Sequence, residues 1–137
     1  MEREINVALT GKMAFTADID GHKITVDAGL EFGGEGKGPG PKSLIMVSIA
    51  GCSGMDVVSL LEKMRVSYTS LNIKVQSVLA DEHPKKYEKI KIIYELIGSD
   101  IDVEKVDKAV KLSEEKYCGV WATLKPAVDI SYEIKIN

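Results

Sequence analysis

The sequence predicts an α+β fold in which two groups of strands flank one long apolar helix. Three observations carry this expectation. Apolar residues recur at every second position over residues 3–28, over 71–96 and from Val128 to Ile136, the period of a strand with one face turned inward. Between the first two groups, Ser43 to Met55 carries no charge at all. A glycine-rich stretch without any period, Gly33 to Gly40, separates the first strands from that apolar run.

The chain opens with three strands. Ile5, Val7 and Leu9, then Met13, Phe15, Ala17 and Ile19, then Ile24, Val26 and Ala28 alternate with their neighbours. Thr10-Gly11 and Asp20-Gly21 punctuate them, and Asp-Gly is a strong two-residue hairpin signal. Residues 3–28 therefore read as an antiparallel meander of half-buried strands. The linker 33–40 follows and reads as a flexible loop. A central helix of about 41–65 begins near Pro41, where a missing N–H does no harm. Leu44, Ile45, Val47, Ile49, Val57, Val58, Leu60 and Leu61 cover nearly all its faces, which marks a buried, central helix. Gly51 and Gly54 flank Cys52 within it, each less favourable than Ala by about 1 kcal/mol. Close packing against another backbone, or space for a ligand beside the thiol, would account for them.

After Arg65 the two-residue period returns. Leu71, Ile73 and Val75 form one strand, Asp81 to Lys86 a polar turn, and Ile90, Ile92, Tyr94 and Leu96 a second strand. Asp102 is placed to cap a helix on which Val106, Ala109, Val110 and Ser113 share a face, ending around Glu115 to Tyr117. A short apolar segment, Gly119 to Leu124, comes next and Pro126 stops it. Val128, Ile130, Tyr132, Ile134 and Ile136 alternate as the last strand. Residues 70–137 thus form a ββαβ part. The 137 residues fit a single domain, which usually takes roughly 100–200.

Composition narrows the function. Eighteen Lys and Arg against 21 Asp and Glu leave a net charge of −3, which argues against a binder of phosphate backbones. The uncharged run is shorter than the roughly 20 apolar residues that span a bilayer, and no basic start precedes an apolar segment as in a signal peptide. A cytoplasmic protein is the expectation. The glycine stretch fails as a phosphate loop, because Gly36-Lys37 is followed by Gly38 and Lys42-Ser43 is preceded by Pro41. Cys52 and Cys118 are far apart and neither belongs to a CxxC pair, and only His22 and His83, both beside turn residues, could join them as soft ligands. No metal site is expected. Tyr117 and Trp121 flank Cys118 and read as core aromatics. The two cysteines are either buried small hydrophobes or one redox pair. Cys118 lies at a junction of helices, where N–H groups of the short following helix would favour a thiolate.

Read with their neighbours, the cysteines carry a resemblance. Pro41-Lys42-Ser43-Leu44 followed by Ala50-Gly51-Cys52-Ser53 is similar to the Pro-Glu-x-Leu … Ala-x-Cys signature of the OsmC/Ohr family, the osmotically inducible and organic-hydroperoxide-resistance proteins. Leu112-Ser113, then Glu115-Lys116-Tyr117-Cys118, places the second cysteine at that family's usual separation. Gly51-Cys52-Ser53, Asp56-Val57-Val58-Ser59 and the Cys118 segment most resemble its YhfA-like branch. The likeness covers essentially the whole chain.

The resemblance implies an intertwined homodimer with antiparallel sheets around a long buried central helix and active sites at the subunit interface. It implies a peroxidase for organic hydroperoxides in which Cys52 attacks the peroxide and Cys118 resolves the sulfenic acid. A dithiol reductant then reopens the disulfide, and no cofactor takes part. Lys42 stands ten residues before Cys52, where the family carries a Glu bracing an Arg, and Lys12 lies near the place of that Arg. A lysine beside a thiol favours the charged form, so Lys42 and Lys12 are candidate thiolate supports; a solvated first-turn residue is the plainer reading of Lys42. The alternative function is a non-peroxidatic dimer of the same shape that binds an apolar small molecule or senses redox state.

Overall fold

The computed structural model describes all 137 residues. The chain divides into two compact units, Met1–Met46 and Val47–Asn137.

The first unit is a three-stranded antiparallel sheet of β1 (Asn6–Leu9), β2 (Phe15–Ile19) and β3 (His22–Val26), in that order. Asp20 and Gly21 take φ of 52° and 80° at the hairpin, both left-handed, as a tight turn between twisted strands requires. Thr16 and Thr25 sit opposite each other, and hydroxyls run from Thr10 to Thr16 at 2.8 Å and from Thr16 to Thr25 at 2.9 Å. The expected half-burial is found only in part on this sheet: Ala17 of β2 is buried, and Ile19 and Val26 are half-buried. All four residues of β1 are exposed, and Phe15 and Ile24 keep 43% and 40% of their surface. Within this chain, few side chains are available to cover the apolar side of the meander.

The glycine-rich linker is tied rather than loose. Asp27, only 4% exposed, accepts from the N–H groups of Ala28 at 2.7 Å, Glu35 at 3.2 Å and Lys37 at 3.0 Å. Those bonds, led by the one from Lys37, hold its carboxyl below the usual range against the opposing effect of burial. Gly34 and Gly38 pass so close to the chain that a Cβ would lie 2.0 Å from the Ala28 carbonyl oxygen and 2.2 Å from that of Thr25. Only glycine fits there.

Helix α1 (Ser43–Lys63) follows. Its end is a Schellman motif: Val66 N–H bonds to Leu61 C=O, Arg65 N–H bonds to Glu62 C=O, and Arg65 takes φ 59° where glycine is usual. The uncharged run understates its length. The helix continues past Asp56 to 21 residues and is long and apolar enough, by length and composition alone, to cross a bilayer, a test that core helices also pass. Nor is it buried all round. Ile49, Ser53, Gly54, Val57 and Leu61 are buried, while Val47, Met55 and Val58 are exposed.

The rest of the second unit is a sheet of β4 (Ser70–Leu79), β5 (Tyr87–Ile97) and β6 (Asp129–Ile136) with β5 central. All strand pairs in the molecule are antiparallel except β5 with β6. There the chain crosses over through helices before pairing, and such a connection returns it parallel. Helix α2 (Val103–Leu112) is capped by Asp102, whose Oδ1 accepts from Glu104 N–H at 3.0 Å and Lys105 N–H at 3.4 Å, a bond worth about 1 kcal/mol. A π-helical turn, Ser113–Tyr117, leads to Cys118 and then to α3 (Gly119–Leu124). The core lies here: Ile90, Ile92, Tyr94 and Leu96 of β5, Val106, Ala109 and Val110 of α2, and Trp121 are all at most 1% exposed. Burying one such aliphatic side chain contributes about 1.5–3 kcal/mol.

Candidate functional site

Cys52 sits on α1 and Cys118 at the N-cap of α3, and the fold of the second unit makes the two sulfurs neighbours that act on one another electrostatically. Both thiols are free. Cys52 is half-buried, whereas Cys118 is 3% exposed. Two backbone bonds fix Cys118: its N–H donates to Ser113 C=O at 2.8 Å, and its Sγ accepts from Trp121 N–H at 3.3 Å. A sulfur thus serves as the helix cap.

The helix N–H groups expected to favour a Cys118 thiolate are present but do not prevail. Burial pushes the Cys118 thiol up to about 11; the Trp121 and Val120 N–H groups pull the other way, and the neighbouring Cys52 sulfur adds to the rise. Cys118 therefore keeps its proton at neutral pH.

Beneath the thiols lies a buried set of polar groups. Ser53 Oγ, next to Cys52 in sequence, lies 2.5 Å from Tyr94 Oη of β5. Ser113 Oγ donates to Ser53 Oγ at 3.0 Å and to Asp56 Oδ2 at 2.9 Å. Ser53, Tyr94 and Ser113 are completely buried, and no buried side-chain polar atom lacks a partner. Burial, against the Ser53 hydrogen bond, pushes the Tyr94 phenol up to about 12, with the charges of Cys118, Glu114 and Asp56 adding to it, so it acts as a neutral hydroxyl. Tyr132 stands edge-on to both Tyr94 and Trp121, ring centroids 6.4 Å apart in each case, and donates to Asp107 Oδ1 at 2.6 Å.

The outer side of α1 forms the wall of an open apolar groove of about 740 Å³ lined by Val47, Gly51, Met55 and Val58 together with Leu71 and Ile73 of β4; neither cysteine lines it. The two helix glycines differ in purpose. A Cβ on Gly54 would come within 2.9 Å of Ile73 Cδ1, whereas one on Gly51 would meet nothing within 4 Å. Gly54 admits a side chain from the sheet, and Gly51 leaves open space one residue from Cys52.

Lys12 and Lys42 belong to the first unit and are exposed, Lys12 donating its backbone N–H to Glu35 Oε1 at 3.2 Å. His22 and His83 are exposed, as expected of turn residues. Trp121 is a core aromatic, but Tyr117 is not: it is half exposed, with Lys116 Nζ 5.3 Å from its ring centre. The opened π-helical turn places it outside. Sequence reasoning passed over Tyr94 and Ser113 because both sit at apolar positions of their patterns. One available signal was Asp56, the first charge in a helix that is uncharged from Ser43 to Met55.

The profile of the OsmC-like protein family matches residues 34–133. Protein YhfA of Escherichia coli K12 is 34% identical over 117 residues, 85% of this chain and 84% of its own. The crystal structure of a hypothetical protein from Aquifex aeolicus VF5 superposes with a TM-score of 0.83 at 36% identity, over 100% of this chain and 99% of that one. An organic hydroperoxide resistance protein OsmC from Legionella pneumophila superposes with a TM-score of 0.67 at 16% identity, over 97% of each chain.

Proposed function

Because this chain belongs to the OsmC-like protein family, we propose that it is a thiol-dependent peroxidase reducing organic hydroperoxides, with Cys52 attacking and Cys118 resolving. The pairing of Cys52 on α1 with a neighbouring, buried Cys118 at the cap of α3 is the observation that carries this reading. The Cys52 thiol takes the terminal peroxide oxygen, the O–O bond breaks, and alcohol leaves: RSH + R′OOH gives RSOH + R′OH. The Cys118 thiol then attacks the Cys52 sulfur, the S–O bond breaks, and the oxygen departs as water with the Cys118 proton. An external dithiol reopens the disulfide by two exchanges.

The inequality of the two sulfurs supports the order of these steps. Cys52 is the more accessible, and Cys118 retains its proton until a sulfenic acid is there to be attacked. The apolar groove along α1 suits a substrate with an organic tail better than hydrogen peroxide. A homodimer belongs to the same proposal: a second copy would cover the apolar side of β1–β3, where Val7 and Leu9 stand exposed.

The test counts free thiols by mass spectrometry after one equivalent of cumene hydroperoxide or of hydrogen peroxide. Conversion to an intramolecular Cys52–Cys118 disulfide, faster with the organic peroxide, is the expected result. Two unchanged thiols after prolonged exposure would overturn the reading. The groove would then favour the second reading, a dimer that binds an apolar small molecule or senses redox state through other oxidants.

A further inference from the structure

We propose that Ser113 is a positioning residue for the dithiol, bracing Cys118 against α1 through Ser53 and Asp56, so that it governs disulfide closure and not the first oxidation of Cys52. This deepens the function proposed above and rests on its pairing of Cys52 with Cys118.

The placement of Ser113 carries the inference. Cys118 hangs from the π-helical turn Ser113–Tyr117, and Ser113 is the one buried residue of that turn. Turns of this kind interrupt regular helices and concentrate at functional sites. Both ends of Ser113 are engaged. Its carbonyl accepts the Cys118 N–H at 2.8 Å, while its hydroxyl reaches Ser53 at 3.0 Å and Asp56 at 2.9 Å. Ser53 adjoins Cys52, and Asp56 lies one helical turn further on. A single residue therefore connects the backbone of one cysteine to the helix that carries the other.

The hydroxyl has one hydrogen for two acceptors. Asp56, as a carboxylate, is the stronger of them; Ser53 also has Tyr94 at 2.5 Å. Removing the Ser113 hydroxyl would leave Ser53 bonded to Tyr94, and Asp56, which is half-buried, reachable by water. The fold has little reason to fail, but the turn would lose its side-chain tie to α1.

Disulfide formation is sensitive to such a tie. The two neighbouring sulfurs must close to a bond of about 2.05 Å with a restricted dihedral. Loss of positioning at about the 1 Å level costs up to about 100-fold in rate. The first oxidation involves only Cys52 and the peroxide, so it does not share that dependence.

The experiment follows closure by two routes in the full chain, wild type and Ser113→Ala, with Asp56→Asn as a second variant that keeps an acceptor but removes the charge. One route starts from cumene hydroperoxide, with dimedone capturing sulfenic acid that has not closed. The other starts from glutathione disulfide: the Cys52 thiolate displaces glutathione thiolate to give a mixed disulfide, and Cys118 then displaces the second glutathione as its thiol. Ser113→Ala should slow closure about 10- to 100-fold by either route, with more dimedone adduct and a Cys52 oxidation rate within about twofold of wild type. Asp56→Asn should fall between the two. Closure by the glutathione route at the wild-type rate in both variants overturns the inference, as does an equal fall in the Cys52 oxidation and closure rates. A wild type inert to peroxide whose glutathione-driven closure is still slowed by Ser113→Ala would sink the peroxidase reading and leave the positioning role standing. If Ser113→Ala does not fold, Asp56→Asn decides by the same rates.

Discussion

Three strands form each of the two sheets, and in both the apolar residues alternate, yet the sheets stand in opposite relations to water. In β5 the residues Ile90, Ile92, Tyr94 and Leu96 are at most 1% exposed. In the first sheet Leu9 keeps 60% of its surface and Val7 keeps 49%. Alternation along a strand reports that one face is apolar. It does not say which body covers that face. The second unit holds helices that bury β5; the first has the tied loop around Asp27, a fastening made of hydrogen bonds to backbone N–H groups. One unit is held by an apolar core, the other leans more on polar ties.

Paired truncations test that contrast most strongly. Ile92→Ala should lower stability by about 2–5 kcal/mol in urea unfolding, as core aliphatic deletions do. Leu9→Ala, measured on dilute chain, should fall within about 0.5 kcal/mol of wild type, as surface changes do. A large and concentration-dependent loss for Leu9→Ala would break the comparison for the lone chain, and would show that a second copy buries this face in solution.

Acid gives the smaller, sharper test. Asp27 has its carboxyl pKa lowered in the folded chain by backbone N–H bonds, the Lys37 bond foremost. Its contribution to stability is therefore complete above the ordinary carboxylate range, near pH 4, and is lost as pH falls through the lowered value. Asp27→Asn should be less stable than wild type at neutral pH, and the two should converge below about pH 4 in thermal unfolding. A gap that persists unchanged at acid pH would mean that the carboxylate charge is not what ties the loop.

Much of this architecture was legible in the residues. The two-residue period located all six strands, Asp20-Gly21 the hairpin, Asp102 the cap of α2, and Gly119 to Leu124 the short last helix. Both cysteines stood out through their flanking motifs. What stayed hidden depended on contacts between distant residues. Ser113 occupies a position that helical spacing marks as inward, so it passed for a small core residue; its meaning comes from Ser53 and Asp56, which lie 60 and 57 positions away. Tyr94 likewise fits its strand as an apolar residue, and only its hydroxyl at Ser53 shows otherwise. Asp27 ends a strand and looked unremarkable because its partners are backbone groups, which leave no mark on residue type. The apolar circumference of α1 was visible, but part of it faces outward in this chain.

The cap of α3 gives the molecule a built-in optical readout. Trp121 is the only tryptophan of the chain, and its backbone N–H is held by the Cys118 sulfur at 3.3 Å. Drawing that sulfur into a bond with Cys52 would move the cap away from the first turn of the helix and shift the indole ring against Tyr132. Intrinsic fluorescence should then differ between dithiol and disulfide, so that the oxidation of this sulfur pair can be followed in unlabelled protein and in real time.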